Sequence, residues 1–107
     1  MTLREPTFLI LTSLASGPRH GYGIIRDIAE VSDGRVKLRA GTLYGSLDRL
    51  VDEGLVAPDR EEIENGRLRR YYRITGEGRS ALAAEVERMV ANARAATTRL
   101  GMRGRMA

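Results

Sequence analysis

Between Gly41 and Leu55, in the stretch GTLYGSLDRLVDEGL, large apolar residues return at helical spacing. Leu43, Leu47, Leu50 and Val51 form one stripe, and Thr42, Gly45, Asp48, Arg49 and Asp52 fall on the other side. The pattern predicts a helix with one buried face, ending at Gly54, where a left-handed C-cap costs glycine little. Upstream, the apolar-dense PTFLILTSL at residues 6–14 predicts a short, nearly all-buried helix, with Pro6 suited to its first turn and Gly17-Pro18 stopping it. A second helix is predicted from His20 to about Glu30, because Ile24, Ile25 and Ile28 make a stripe and Asp33-Gly34 makes a break. Two helices joined by a tight link are what a helix-turn-helix requires.

From Leu55 the period changes to two. Asn65-Gly66 is a strong hairpin signal, since both turn positions want positive φ. A turn there sets Glu64 opposite Arg67, Ile63 opposite Leu68, Glu62 opposite Arg69 and Glu61 opposite Arg70, an arrangement that pairs opposite charges. Leu68, Arg70, Tyr72 and Ile74 then share one face, the one expected to meet the core, and Arg69, Tyr71 and Arg73 share the other. Thr75 is a suitable N-cap, and Glu77 a favourable first-turn charge, for a last helix reaching about Leu100. Within it Leu82, Val86, Met89, Ala93, Ala96 and Leu100 alternate in steps of four and three, a narrow seam of the coiled-coil kind. The seam wants a helix, which is either the first helix of the same chain or the last helix of a second copy. Residues 101–107 are expected to form a flexible tail.

The chain has 107 residues, enough for one small domain with a modest core. It carries a net charge of +4, unevenly placed: residues 1–54 hold seven basic and seven acidic side chains, residues 55–75 five and four, residues 76–107 six and three. Polyanions fit that balance. Lys37 is the one lysine, so nearly all basic side chains are arginines, which favour bidentate phosphate and guanine contacts. The absence of cysteine removes disulfides and thiolate metal sites, and no apolar run has the length of a membrane span or a signal-peptide core, so a cytoplasmic protein without membrane attachment is expected. His20 is the one histidine and stands at a helix start, where a turn hydrogen bond suits it and a metal does not. Gly76-Glu77-Gly78-Arg79-Ser80-Ala81 formally matches a dinucleotide fingerprint, but its strand belongs to a hairpin and no later parallel strand exists. The composition offers no familiar nucleophilic triad, and neither an enzyme nor a cofactor is expected.

The order helix, helix, helix, hairpin, helix, with arginines on the hairpin, describes an α+β, mostly helical winged helix-turn-helix. LASGPRHGYGI at 14–24, AGTLYGSLDRLVDEGLV at 40–56 and GRLRRYYRITGEGRSAL at 66–82 resemble the motifs of the PadR-like transcriptional regulators, in the same order and spacing, over about residues 3–90. The resemblance implies a homodimeric winged-helix repressor, with residues 1–75 as the DNA-binding domain and 76–100 as the dimerisation helix. Ala40, Gly45 and Leu68 stand where that family usually has proline, and Arg70 stands for its usual lysine. The start of the recognition helix and the wing tip are therefore expected to be less rigid.

On such a scaffold the helix after Gly41 enters the major groove of double-stranded DNA. Arg49 is long enough for a guanine edge, and Thr42 and Ser46 are placed for phosphate or base. Tyr44, on the flank of the stripe, is expected to pack its ring on the domain while its hydroxyl reaches a phosphate. Arg67, Arg69 and Arg70 are the wing contacts to backbone or minor groove, and their competing role is cross-strand pairing with Glu61, Glu62 and Glu64. The candidate signal is a small hydrophobic effector bound between subunits by Phe8, Leu11, Val86, Met89 and Ala93. The alternative function is a winged-helix module that uses the same helix to bind protein and touches no DNA.

Overall fold

The structure, a computed structural model, describes residues 3–102. The first three helices are α1 (Glu5–Ala15), α2 (Gly21–Val31) and α3 (Ala40–Asp52), and the last is α4 (Gly76–Leu100). The strands are β1 (Arg19–His20), β2 (Val56–Glu64) and β3 (Arg67–Ile74), in the antiparallel order β1-β3-β2. The four predicted helices and the hairpin stand where the periodicity puts them. The two-residue β1 is an addition, pairing Arg19 with Tyr72 and His20 with Tyr71.

One core unites the first three helices with the root of the sheet. Leu9, Ile10, Leu11 and Leu14 of α1 meet Ile24 and Ile28 of α2, and Leu43, Leu47 and Leu50 of α3, closed by Val56 and Ile74. Chain reversals follow from backbone chemistry. Asp33 and Gly34 both take positive φ after α2, and Gly54 takes φ 78 after α3. The connector to α3 is pinned by Ser32, 2% exposed, whose Oγ accepts from the Val36 amide at 3.0 Å.

In the hairpin, Asn65 (φ 52) and Gly66 (φ 76) form the turn, and all four expected cross-strand pairs are present. Nearer the core the ladder slips between Pro58, opposite Tyr72, and Glu61, opposite Arg70. Asp59 and Arg60 thus share the single partner Tyr71, a bulge beside a proline that has no amide to give the ladder.

Thr75 joins three elements. Its Oγ1 accepts from the Gly78 amide at 3.0 Å, capping α4, and donates to the Gly54 carbonyl at 2.7 Å. Its own amide donates to the Leu55 carbonyl at 3.1 Å. That clasp draws α4 onto the chain so closely that a Cβ at Gly78 would collide with the Leu55 carbonyl oxygen and stand 2.8 Å from Ile74 Cγ1. The glycine at the centre of the false dinucleotide fingerprint is therefore a packing requirement. Gly78→Ala is expected to lower unfolding stability by about 1 to 3 kcal/mol. Gly76→Ala, with nothing within 4 Å of the new methyl, is expected to be neutral or slightly stabilising. Paired denaturant titrations check this, and equal stability of the two variants would contradict it.

α4 has 25 residues, about 37 Å at 1.5 Å per residue, and it overruns the body of the molecule, whose extents are 55 × 27 × 21 Å. Gly101 ends it in a left-handed cap, with its amide on the Thr98 carbonyl and the Met102 amide on Thr97. The first two tail residues thus belong to the helix end, and residues 103–107 lie outside those described.

Candidate nucleic-acid interface

The burial pattern of α3 divides it cleanly. Leu43, Leu47 and Leu50 are at most 1% exposed, and Ser46 joins them at 7%. Residues 43, 46, 47 and 50 are one face at i, i+3, i+4 and i+7, so position overrides polarity and turns Ser46 inward. The expectation that Ser46 reaches a base or phosphate is corrected on that ground. Thr42, Gly45, Asp48 and Arg49 remain exposed. Beside them a groove runs between α3 and the start of α1, lined by Arg4, Thr7, Thr42, Gly45 and Arg49, with Ser46 at its floor. None of the described ion pairs involves Arg4 or Arg49.

Tyr44 keeps 43% of its surface exposed and seats its phenol end against Gly21, the first residue of α2. A Cβ at position 21 would stand 2.6 Å from Tyr44 Cζ, so a larger residue there would push the phenol aside. Behind it stands Tyr72, whose pKa is pushed above the ordinary tyrosine value by burial and by neighbouring Tyr44 and Asp48. Tyr72 thus places the root of the wing beside α3.

On the wing most acidic side chains have partners other than those the ladder suggested. Arg70 pairs with Glu61 at 3.3 Å as expected. Glu62 takes Arg60 Nε at 2.7 Å, and Glu64 accepts from the Tyr71 hydroxyl at 2.5 Å. That hydrogen bond holds the Glu64 carboxyl below the usual glutamate range, partial burial opposing it and the neighbouring His20 and Arg69 assisting. The same bond raises the Tyr71 pKa. Arg60 also stacks 3.9 Å above the Tyr71 ring, whose other neighbour is His20, edge-on at 5.3 Å. The bulge is what brings Arg60 there. With Arg60 and Tyr71 occupying the acids, neither Arg67 nor Arg69 has an ion-pair partner among the described residues. Arg69 is half-buried beside Tyr22, 5.8 Å from the ring centroid, and its Nε is buried without a hydrogen-bond partner.

Comparison with known proteins places this geometry. The profile of the transcriptional regulator PadR-like family matches residues 10–84. The transcriptional regulator Rv3488 of Mycobacterium tuberculosis is 36% identical over 76 residues, which cover 71% of this chain and 67% of that one. The chain belongs to the PadR-like family of transcriptional regulators. An uncharacterized 37.1 kDa protein in transposon TN4556 of Streptomyces fradiae is 40% identical over 89 residues, 83% of this chain, but the match spans only 24% of that longer protein. Bacillus subtilis PadR, solved in complex with operator DNA, superposes with a TM-score of 0.68 at 25% identity, over 78% of this chain and 47% of that one. Family members are transcriptional regulators rather than enzymes.

In this PadR-like regulator His20 acts as the α2 N-cap, its Nδ1 accepting from the Gly23 amide at 3.0 Å. Among the described residues no cluster of His, Asp or Glu is arranged to hold a metal, and no helix is long and apolar enough to cross a membrane.

The seam of α4 is divided. Leu82 packs against the core of its own chain, while Val86, Met89 and Leu100 are 42%, 47% and 73% exposed. Ala93 is half-buried and Ala96 exposed. Glu85, which no periodicity singles out, is 5% exposed; its carboxylate pairs with Arg88 and accepts from the Leu3 amide at 3.4 Å, tying the chain start to α4. Beside it a groove lined by Leu3, Glu5, Phe8, Leu9, Arg35, Glu85 and Met89, and not by Val86 or Ala93, opens between α1 and α4. Leu11 is absent from that groove. It is 0% exposed in the core, so its expected role in holding an effector is corrected: α1 is apolar on nearly every side, and Leu11 lies on the side facing its own domain.

Proposed function

We propose that the protein is a homodimeric, sequence-specific DNA-binding repressor whose two α3 helices enter successive major grooves of a roughly palindromic operator. The observation that carries the reading is the outer face of α3, where Thr42, Gly45 and Arg49 are exposed and Arg49 has no ion-pair partner among the described residues. Small residues let the helix approach a surface, and a free guanidinium at that surface suits a guanine edge. Arg67 and Arg69 of the wing, also without carboxylates, extend the cationic surface toward the backbone, as does Arg70 once its exposed pair with Glu61 yields. Tyr44 borders the same surface.

α4 supplies the dimer contact through Val86, Met89, Ala93, Ala96 and Leu100. A small apolar effector would sit in the groove between α1 and α4 against Phe8 and Met89, whose seam neighbours Val86 and Ala93 lie outside its lining, and would act by changing the separation of the recognition helices. In a ligand-soaked crystal, density at the wing with that groove empty would reject this part.

Salt separates the repressor from a winged-helix module that binds protein through the same helix. For the repressor, affinity for duplex DNA falls with a log–log slope of about −0.9 per phosphate contacted, so about six contacts or more cost on the order of 10³-fold between about 50 and 200 mM salt. Absence of duplex binding at low salt would favour the protein-binding module.

A further inference from the structure

Ile63 and Leu68 are 77% and 55% exposed, and they face each other across the hairpin one rung inside the Asn65-Gly66 turn. A hairpin tip gains little stability from two aliphatic side chains left in water, so the pair points to something outside the fold. Alternation along β3 puts Leu68 on the face that also carries Arg70, Tyr72 and Ile74. Ile74 lies in the core at the root of that face, and Tyr72 stands beside Tyr44 and Asp48 of α3. The aliphatic pair is therefore at the far end of the wing face that adjoins the recognition helix. Its flanks carry both signs: on the rung nearer the turn Glu64 is held by the Tyr71 hydroxyl, while Arg67, on the opposite face of β3 from Leu68, has no ion-pair partner among the described residues. Arg70, on the next rung inward on the same face, is held by an exposed pair with Glu61 that a phosphate can replace.

We propose that Ile63 and Leu68 form an apolar wedge that enters the minor groove of duplex DNA beside the major groove occupied by α3, with Arg67 and Arg70 on the flanking phosphates. The proposal rests on the DNA-binding reading above and adds an interaction of a different kind. Aliphatic side chains in a minor groove press on sugar rims and part a base step, which widens the minor groove and kinks the duplex toward the major groove. Pyrimidine–purine steps unstack most easily, so the wedge makes the protein selective at flanking positions where no side chain hydrogen-bonds a base.

The test is the double variant Ile63→Ser/Leu68→Ser in the full chain, on a duplex recovered from random sequence with the wild type and labelled at both ends for energy transfer. Both side chains are exposed, so the thermal midpoint is expected to be unchanged. Affinity is expected to fall by about tenfold, as for two aliphatic groups that no longer become buried on binding. The end-to-end distance of bound DNA should lengthen toward that of straight duplex, and the flanking pyrimidine–purine preference should disappear while the bases read by α3 stay the same. A variant that binds and bends DNA as the wild type does overturns the wedge and leaves the DNA-binding reading standing. A variant whose only defect is weaker self-association in sedimentation assigns the pair to an interface between copies and overturns it too. A wild-type chain that binds no duplex at all overturns both.

Discussion

Met89→Asp should convert the protein to a monomer and weaken binding to its operator by about 10² to 10⁴-fold. Met89 lies midway along the α4 seam, 47% exposed within the single chain and flanked by exposed Val86 and Val90 at 42% and 37%. Such side chains are covered only if a second helix lies along them, and a carboxylate placed there would be buried without a partner, at a cost of several kcal/mol in an interface. The weaker operator binding follows from arithmetic, since Met89 itself need not touch DNA. With two half-sites engaged, the second binding event is intramolecular, and that advantage, about 10² to 10⁴-fold, vanishes with the dimer. The fold itself should survive, because Met89 lies outside the core that unites α1, α2 and α3. Met89→Leu, which keeps the volume and apolar character, should retain both dimer and affinity. Sedimentation velocity decides the matter: an intact Met89→Asp dimer would move the interface away from α4.

Arg49→Ala should relax base preference at one position in each half-site, at a cost of about 1 to 3 kcal/mol per half-site. Arg49 stands on the outer face of α3 beside the groove that runs to Arg4 and Thr7, with no ion-pair partner among the described residues. Arg69→Ala is expected to behave differently. Its guanidinium leaves the wing toward Tyr22, and removing it should weaken all sequences alike and lower the salt slope by about one. If Arg49→Ala yields the same selected sequence as the wild type, the reading residue lies elsewhere on α3.

The helices and the hairpin are legible in the chain because each rests on local chemistry repeated over many residues. Three leucines at helical spacing define α3, and Asn65-Gly66 defines both a turn and, through it, the register of four charged or apolar pairs. The features that periodicity does not disclose each have a single-residue or tertiary cause. Arg19–His20 is too short to show any period, and it becomes a strand only because β3 offers an edge beside it. Pro58 signals an irregularity, since proline cannot complete a ladder, but the slip that seats Arg60 on Tyr71 depends on side chains from both strands and from β1. Ser46 is misplaced when polarity is given more weight than position, although its spacing from Leu43 and Leu50 already puts it inside. Leu11 is misplaced for the opposite reason: a helix apolar on nearly all sides does not disclose which side meets its own core. Glu85 is invisible to pattern because a buried carboxylate is defined by what surrounds it, here Arg88 and the Leu3 amide.

Among the candidate DNA-facing residues, the wing is legible in outline and not in detail. Pairing along the ladder suggests that Glu61, Glu62 and Glu64 neutralise the three arginines together. In the folded hairpin Arg60 and Tyr71 take Glu62 and Glu64, so Arg67 and Arg69 have no ion-pair partner among the described residues. A bulge of one residue thus changes how much positive charge the wing presents.

The central claim, that two α3 helices of a dimer read DNA sequence, is tested most directly by selecting binding sites for the wild-type chain from random duplexes. The account predicts an enriched motif with two-fold symmetry, its half-site centres about one helical turn apart and guanine at the position that Arg49→Ala relaxes. Recovery of duplexes with no shared sequence, or of a single unrepeated half-site, would contradict it.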